Sequence, residues 1–375
     1  MELKNYQKRC WAEIDLNKIE NNFKKIKGNV CCVVKADAYG HGAVEISKFY
    51  EKLGCFYFAV ATIEEAVELR KGGISKPILI LGYTNPACAK MLSLYHLTQC
   101  VYSLEYAEAL NLEAKKVNCK ILCHLKIDTG MGRIGFQYHG SSNELEYAYK
   151  ACTLSNLNFE GIFMHFAMSD EGINEYTINQ YNYFCEAIKY LESKGITFKI
   201  KHAQNSGGIV NYKNLPFTMS RAGIILYGFN INDSNDFEEA LSLKAIVSHV
   251  KEINKGDSVS YGREFVANKK TRVATLSIGY ADGFNRHNFG SYVIINGEKC
   301  NILGRVCMDQ IMVESNTAKM GDAATIYGEG IAIKDVAKYN KTIPYEILCS
   351  ISRRVPRVYL YNGKIESIVD YFDKK

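Results

Sequence analysis

Through its first two thirds the chain alternates short apolar runs with segments of helical periodicity. The runs fall at 30–34, 56–60, 77–81, 98–102, 120–126, 159–165, 197–202 and 217–221. Between them, stretches such as Ala43-Val44-Glu45-Ile46-Ser47-Lys48-Phe49-Tyr50 and Ile63-Glu64-Glu65-Ala66-Val67-Glu68-Leu69-Arg70 space apolar residues three and four apart, as one face of a helix requires. Eight strand–helix alternations predict an α/β fold, a (β/α)8 TIM-like barrel, with a doubly wound open sheet as the alternative. A barrel demands that chemistry gather at the C-terminal ends of its strands. Lys35, Lys126 with Asp128, His165, His202 with Asn205 and Ser206, and Arg221 all follow or close predicted strands.

The texture changes after Gly228. Ile231-Asn232-Asp233-Ser234-Asn235-Asp236 reads as a polar connector, and beyond it alternating runs (241–250, 272–278, 292–295, 323–327) are separated by Gly, Asn and Asp turns. The expected organisation is a barrel over 1–235 and a mostly-β domain over 236–375.

Composition narrows the function classes. No stretch approaches the roughly 18 apolar residues of a membrane span, and Met1-Glu2-Leu3-Lys4-Asn5-Tyr6-Gln7-Lys8 lacks the apolar core of a signal peptide. A cytoplasmic location away from membranes is expected. The 13 cysteines lack CxxC pairs and metal-ligand spacing, so they read as reduced apolar residues with no metal site. A net charge of +6 without a basic block makes nucleic acid a poor partner.

Lys35 carries the sharpest chemical signal. The run Val30-Cys31-Cys32-Val33-Val34 has no polar residue and reads as a strand buried on both faces. A lysine projecting from such a strand end has a lowered cost of being neutral, and a neutral amine suits Schiff-base chemistry with a carbonyl cofactor. The alternative is a lysine that ends a strand and reaches to water.

Eight motifs in order settle which reading to follow. They are Val34-Lys35-Ala36-Asp37-Ala38-Tyr39-Gly40-His41-Gly42, Lys126-Ile127-Asp128-Thr129-Gly130-Met131-Gly132-Arg133-Ile134-Gly135-Phe136, Met164-His165-Phe166-Ala167, Asn205-Ser206, Arg221-Ala222-Gly223-Ile224, Ser260-Tyr261-Gly262, Gly279-Tyr280-Ala281-Asp282-Gly283 and Gly304-Arg305-Val306-Cys307-Met308-Asp309-Gln310. Across nearly its whole length the sequence resembles the bacterial alanine racemases, which are pyridoxal 5'-phosphate enzymes built as a barrel plus a β domain.

The resemblance implies a set of roles. Lys35 would hold the cofactor covalently and, once displaced by substrate, exchange the Cα proton on one face. Tyr261, from the other subunit of a homodimer with shared active sites, would serve the opposite face. Arg221 would meet the pyridine nitrogen with a cationic donor, leaving the ring unprotonated and the carbanion less delocalised than a carboxylate partner would. His202 would orient Arg221. Phosphate would be met by Tyr39, Ser206, Gly223 and Ile224, with Asn205 also in the cofactor site and His165 lining the inner pocket. Arg353 stands where several relatives place a phosphate-binding tyrosine. Arg133 and the amide of Met308 would bind the small amino-acid substrate's carboxylate, with Cys307 lining the pocket and Tyr280 narrowing its entrance. Lys126 would be carbamylated (N6-carboxylysine) and hold Arg133, the plainer reading being a pair with Asp128. The implied product is D-alanine for peptidoglycan.

Other readings are a serine or broad-specificity racemase, a non-catalytic pyridoxal-phosphate carrier and an amino-acid decarboxylase. The carrier lacks a β domain, and the decarboxylase's cysteine-aspartate motif is missing here. Gly207-Gly208, where relatives often have alanines, is expected to loosen its loop.

Overall fold

The computed structural model describes residues 8–231 and 236–373. Residues 232–235 of the expected connector, and Met1–Gln7 of the N-terminal segment, lie outside the described residues. The chain forms two compact units, one of residues 22–38 and 43–237, the other of 1–21, 39–42 and 238–375.

The first strand, β1 (Cys10–Asp15), corrects the expectation that all of 1–235 is barrel. It lies in the β-rich unit, antiparallel to one strand and parallel to another that both come more than two hundred residues later.

The eight barrel strands follow. They are β2 (Val30–Val33), β3 (Tyr57–Val60), β4 (Ile78–Ile80), β5 (Leu97–Val101), β6 (Ile121–Asp128), β8 (Leu157–Phe163), β9 (Ile200–His202) and β10 (Ser220–Ala222). The two-residue β7 (Phe136–Gln137) pairs with the end of β6. The strands pair in parallel in the order β10-β2-β3-β4-β5-β6-β8-β9. Between β9 and β10 the backbone N–H of Thr218 donates to Lys201 O and that of Arg221 to Gln204 O, at 2.8 and 2.9 Å. The sheet is therefore nearly closed rather than open, and every predicted run has become a strand.

Closure explains the runs. Side chains on both faces of β2, β3, β4 and β5 are buried, inside the barrel or under its helices, so these strands are near-continuously apolar instead of alternating. The helices over Ala43–Lys52 and Ile63–Lys71 match their predicted periodicity. Thr62 caps the second in a capping box with Glu65. Among the described residues no helix is long and apolar enough to cross a membrane.

The β-rich unit is built on β11 (Leu241–Ile253), β14 (Thr271–Leu276), β15 (Tyr292–Ile295), β17 (Ile311–Glu314), β18 (Ala323–Tyr327) and β19 (Arg357–Tyr361). Strand β11 pairs with β1, β14 and β18, so it is the spine of the unit. β1 sits between β11 and β19.

Candidate active site

In the barrel unit the expected residues stand at strand ends. Lys35 follows β2 and opens a left-handed turn in which Ala36, Asp37 and Ala38 have φ of 52, 55 and 53°. Non-glycine residues in this region are costly by about 1–2 kcal/mol each, so other groups must hold the turn. Glu65 does so from its capping box: Oε1 accepts from Ala36 N at 2.6 Å and Oε2 from Ala61 N at 2.7 Å. Asp37 Oδ1 accepts from Ala43 N at 2.8 Å. The sequence predicts a loop here; the strained turn is invisible to hydropathy because its residues are ordinary.

Arg221 is 3% exposed on β10. Its NH1 donates to His202 Nδ1 at 2.9 Å, and its NH2 to Met164 O, Ala203 O and His165 Nδ1 at 2.8, 3.0 and 3.2 Å. Its Nε–H has no partner among the described residues. Burial lowers the guanidinium to about 10, which leaves it cationic at neutral pH. Burial, then the charge of Arg221, holds His165 and His202 well below the ordinary histidine range, so both are neutral there.

Lys126 lies two residues before the end of β6 with its amine buried. Nζ donates to Ile127 O at 2.8 Å and lies 5.3 Å from the centre of the Phe163 ring. Burial lowers it to about 7. Its carboxylate neighbour is engaged elsewhere. Asp128 accepts the backbone N–H groups of Gly130, Gly132 and Arg133 at 2.9, 3.1 and 2.9 Å. Burial opposes its ionisation, but these three donors outweigh that and hold it below the carboxylate range. The plain Lys126–Asp128 pair is thus replaced by a carboxylate that shapes the loop carrying Arg133.

After β9, Asn205 caps the short helix Ser206–Asn211 by accepting from Gly208 N at 2.9 Å, and itself accepts from Ser169 Oγ at 2.7 Å. Ser206 Oγ accepts from Gly223 N at 3.2 Å, tying this loop to the one after β10 that continues into Ile224. Gly207 does not loosen the loop as expected. A Cβ there would stand 2.6 Å from Asp170 N and 2.7 Å from Ser169 C, so glycine allows a tight approach.

The β-rich unit gathers the second group. Tyr261 is 64% exposed, in a turn whose Ser260, Gly262 and Arg263 have φ of 67, 75 and 50°. Ser260 Oγ donates to Arg305 O at 2.6 Å and lies 3.4 Å from Cys307 Sγ, and Arg305 pairs with Glu264. Tyr280 N and Ala281 N donate to Cys307 O and Met308 O at 3.1 and 3.0 Å. Three loops therefore bring Tyr261, Tyr280, Cys307 and Met308 together, and both tyrosines and Met308 are exposed. Tyr39 is buried, 6.0 Å from the Tyr345 ring. Arg353 is exposed and places its guanidinium 5.0 Å from the centre of the Tyr371 ring.

Three side chains beside Arg221 went unmarked in the sequence: Phe163, His124 and Glu160. Phe163 carries the His202 ring stacked on it and Arg221 Cζ 5.3 Å from its centre. His124 Nδ1 lies 2.9 Å from His202 Nε2. Their sequence signals are a histidine inside the run 120–126 and a glutamate inside the run 159–165.

Comparison with known proteins places the chain in a family. The family model described as alanine racemase, N-terminal domain, matches residues 14–231, and that described as alanine racemase, C-terminal domain, matches 240–359. An alanine racemase of Clostridium tetani is 41% identical over 381 residues, spanning 96% of this chain and 98% of its own. The solved alanine racemase of Clostridium difficile 630 superposes with a TM-score of 0.94 at 40% identity, covering 98% of this chain and 100% of its own. That of Bartonella henselae, solved with covalently bound pyridoxal phosphate, gives a TM-score of 0.82 at 27% identity over 94% of this chain and 100% of its own. With both domains matched and a full-length relative above 40% identity, the chain belongs to the alanine racemase family and is an amino-acid racemase.

Proposed function

We propose that the protein interconverts L- and D-alanine with pyridoxal 5'-phosphate, by a two-base mechanism in a homodimer. The observation that carries this is Arg221: NH1 donates to His202 and NH2 to His165 and two carbonyls, while Nε–H has no partner among the described residues. A buried cationic donor whose Nε–H is left over fits a pyridine nitrogen that has a lone pair and no proton. The rest of the cofactor is fitted by the donor set around it. Lys35 supplies the amine, and the loops after β9 and β10, with Asn205, Ser206, Gly223 and Ile224, supply phosphate donors in the manner of barrels. His165 lines the inner wall, and Tyr39 and Arg353 are the further phosphate residues that the family resemblance implies.

Bound there, the cofactor supplies an electron sink for negative charge at the substrate Cα. The chain's residues do the rest. Arg133 and the Met308 amide hold the substrate carboxylate, which fixes the Cα–H bond toward one base or the other. Lys35 takes or returns the proton on one face. Tyr261 of the partner subunit does so on the opposite face, because one amine cannot reach both. Its exposure beside Tyr280, Cys307 and Met308 supports a face that a second subunit covers. Arg221 keeps the ring nitrogen unprotonated and so restrains transamination.

Lys126 is read as N6-carboxylysine. An amine lowered to about 7 is largely neutral at mildly alkaline pH, and the neutral form adds to carbon dioxide to give the carbamate and one released proton. The anion would hold Arg133.

Alanine as substrate is tested by polarimetric or coupled assays of L-Ala, L-Ser and L-Lys side by side with saturating cofactor. Turnover of L-Ala well above the others is expected. No turnover of L-Ala with cofactor bound overturns the reading, and preferred turnover of L-Ser moves it to a serine racemase. The role in supplying D-alanine for peptidoglycan, in the cytoplasm, rests on the same family inference.

A further inference from the structure

The barrel interior holds a column of polar side chains that the chemistry above leaves unused. Arginine can only donate, so His202 Nδ1, 2.9 Å from Arg221 NH1, is an acceptor. A neutral imidazole then carries its proton on Nε2. That Nε2–H points 2.9 Å to His124 Nδ1, so His124 accepts there and carries its own proton on Nε2. His124 Nε2 lies 3.7 Å from Glu160 Oε1, within ion-pair range though longer than a closed hydrogen bond. Tyr57 OH donates to the same oxygen at 2.9 Å, and Thr98 Oγ1 lies 3.4 Å from it. Arginine cannot accept, and this alone fixes the protons of both imidazoles; His124 Nε2 closes no hydrogen bond and faces the Glu160 carboxylate at 3.7 Å.

The barrel is shaped around this column. Both imidazoles are fully buried, and burial first of all holds His124 below the ordinary histidine range. His124, ahead of Tyr57 and Thr98, holds Glu160 below the ordinary carboxylate range against the cost of burial. Strand β6 has a register shift against β8 between Cys123 and His124. At Gly161 of β8 a Cβ would stand 2.6 Å from His124 Cδ2 and Nε2, so only glycine lets the imidazole lie there. Apolar residues would fill a barrel core more cheaply than this polar column, whose far end, His124 Nε2, closes no hydrogen bond.

We propose that His124 and Glu160 are positioning residues for Arg221: the one-way chain Arg221→His202→His124, with the Glu160 carboxylate facing its far end, locks His202 in its Nε2–H tautomer and thereby holds NH1, leaving Nε for the ring nitrogen. The proposal rests on the reading of Arg221 given above. It extends the control of that guanidinium from the rim into the barrel floor, where no substrate or cofactor atom needs to reach.

Imidazole 15N NMR of histidine-labelled protein freed of cofactor tests it, with His124→Asn and His124→Leu as variants and thermal melting as the fold control. In the unsubstituted protein, His202 and His124 should both show protonated Nε2 and bare Nδ1 above the ordinary histidine pKa of about 6.5. Leucine removes the acceptor for His202, whereas the asparagine amide oxygen keeps one. The His124→Leu variant should show mixed His202 tautomers, kcat lowered about tenfold or more with KM for alanine little changed, and more pyruvate formed per racemisation. The His124→Asn variant should recover the His202 tautomer and the greater part of kcat. An Nδ1–H form of His202 in the unsubstituted protein overturns the proposal, as do matching spectra and kcat in the two variants. If His124→Leu fails to fold, the spectrum of the unsubstituted protein decides alone. Absence of alanine turnover in the unsubstituted enzyme strikes the functional reading instead, while the tautomers still decide the chain.

Discussion

The His202 imidazole lies flat on the Phe163 ring, centroids 4.8 Å apart and planes 6° from parallel. Arg221 Cζ and Lys126 Nζ each stand 5.3 Å from the same phenyl centre. One aromatic side chain on β8 thus supports a neutral ring and faces a cationic guanidinium and an amine near neutrality. Phe163→Leu should cost about 1–2 kcal/mol of stability and lower kcat by more than the melting shift accounts for. Equal kcat at the assay temperature, with only the melting point moved, would mean that Phe163 merely fills space.

Lys126 carries the next expectation. Protein in 13C-bicarbonate should give a carbamate signal that disappears in Lys126→Ala, with KM for alanine raised about tenfold as Arg133 loses its support. Carbamate occupancy should fall as pH drops below about 7, where the amine takes up a proton. Protein that shows no such signal at pH 8 removes the carbamate from the mechanism.

Glu65 holds the turn after Lys35 through both carboxylate oxygens. Glu65→Ala should cost about 1–2 kcal/mol by leaving Ala36 and Ala61 donors unpaired. It should also lower kcat, because Lys35 leads directly into that turn. Unchanged kcat alongside a lowered melting point would confine Glu65 to the helix cap.

Lys35→Ala and Tyr261→Phe each remove one base. If the bases of one site come from two subunits, a purified mixed dimer of the two variants regains one working site and about half the activity per dimer. Mixed dimers as inactive as either parent refute the shared site.

Stability should depend on pH through the buried histidines. His165 and His202 titrate well below the ordinary 6.5 when folded. Unfolded chain therefore binds more protons at low pH, so the contribution is complete above about 6.5 and is lost as pH falls from there toward the folded values. Asp128 adds a loss at lower pH, beginning near 3.8, where the unfolded carboxyl takes up a proton before the folded one. Melting temperature should decline from about pH 6.5 downward, and His202→Phe should flatten the upper part of that decline. A melting profile level down to pH 5 would exclude neutral buried imidazoles.

Most of the barrel was legible before any coordinate. Eight apolar runs became eight strands within a few residues, because burial on both faces leaves a continuous local signal. Lys35, Lys126, His202 and Arg221 were legible as candidates because polar groups at the ends of apolar runs are exceptional. The left-handed turn and the tight packing of Gly207 were not, since Ala36, Ala38 and a paired glycine look ordinary in a window of neighbours. Strand β1 was missed for a different reason: its partners lie beyond residue 240, outside any local pattern.

The sequence by itself determined the strand and helix pattern, the family, and which side chains stand at the barrel rim, all of which rest on short-range periodicity and motif order. Only the tertiary structure decided that Lys126 lies buried with its amine near neutrality, that Asp128 serves its loop instead of pairing with that amine, and that His124 meets His202 from 78 residues away. Burial and hydrogen-bond partners set acidity and tautomer, and in a barrel those partners come from strands that meet only when the sheet closes.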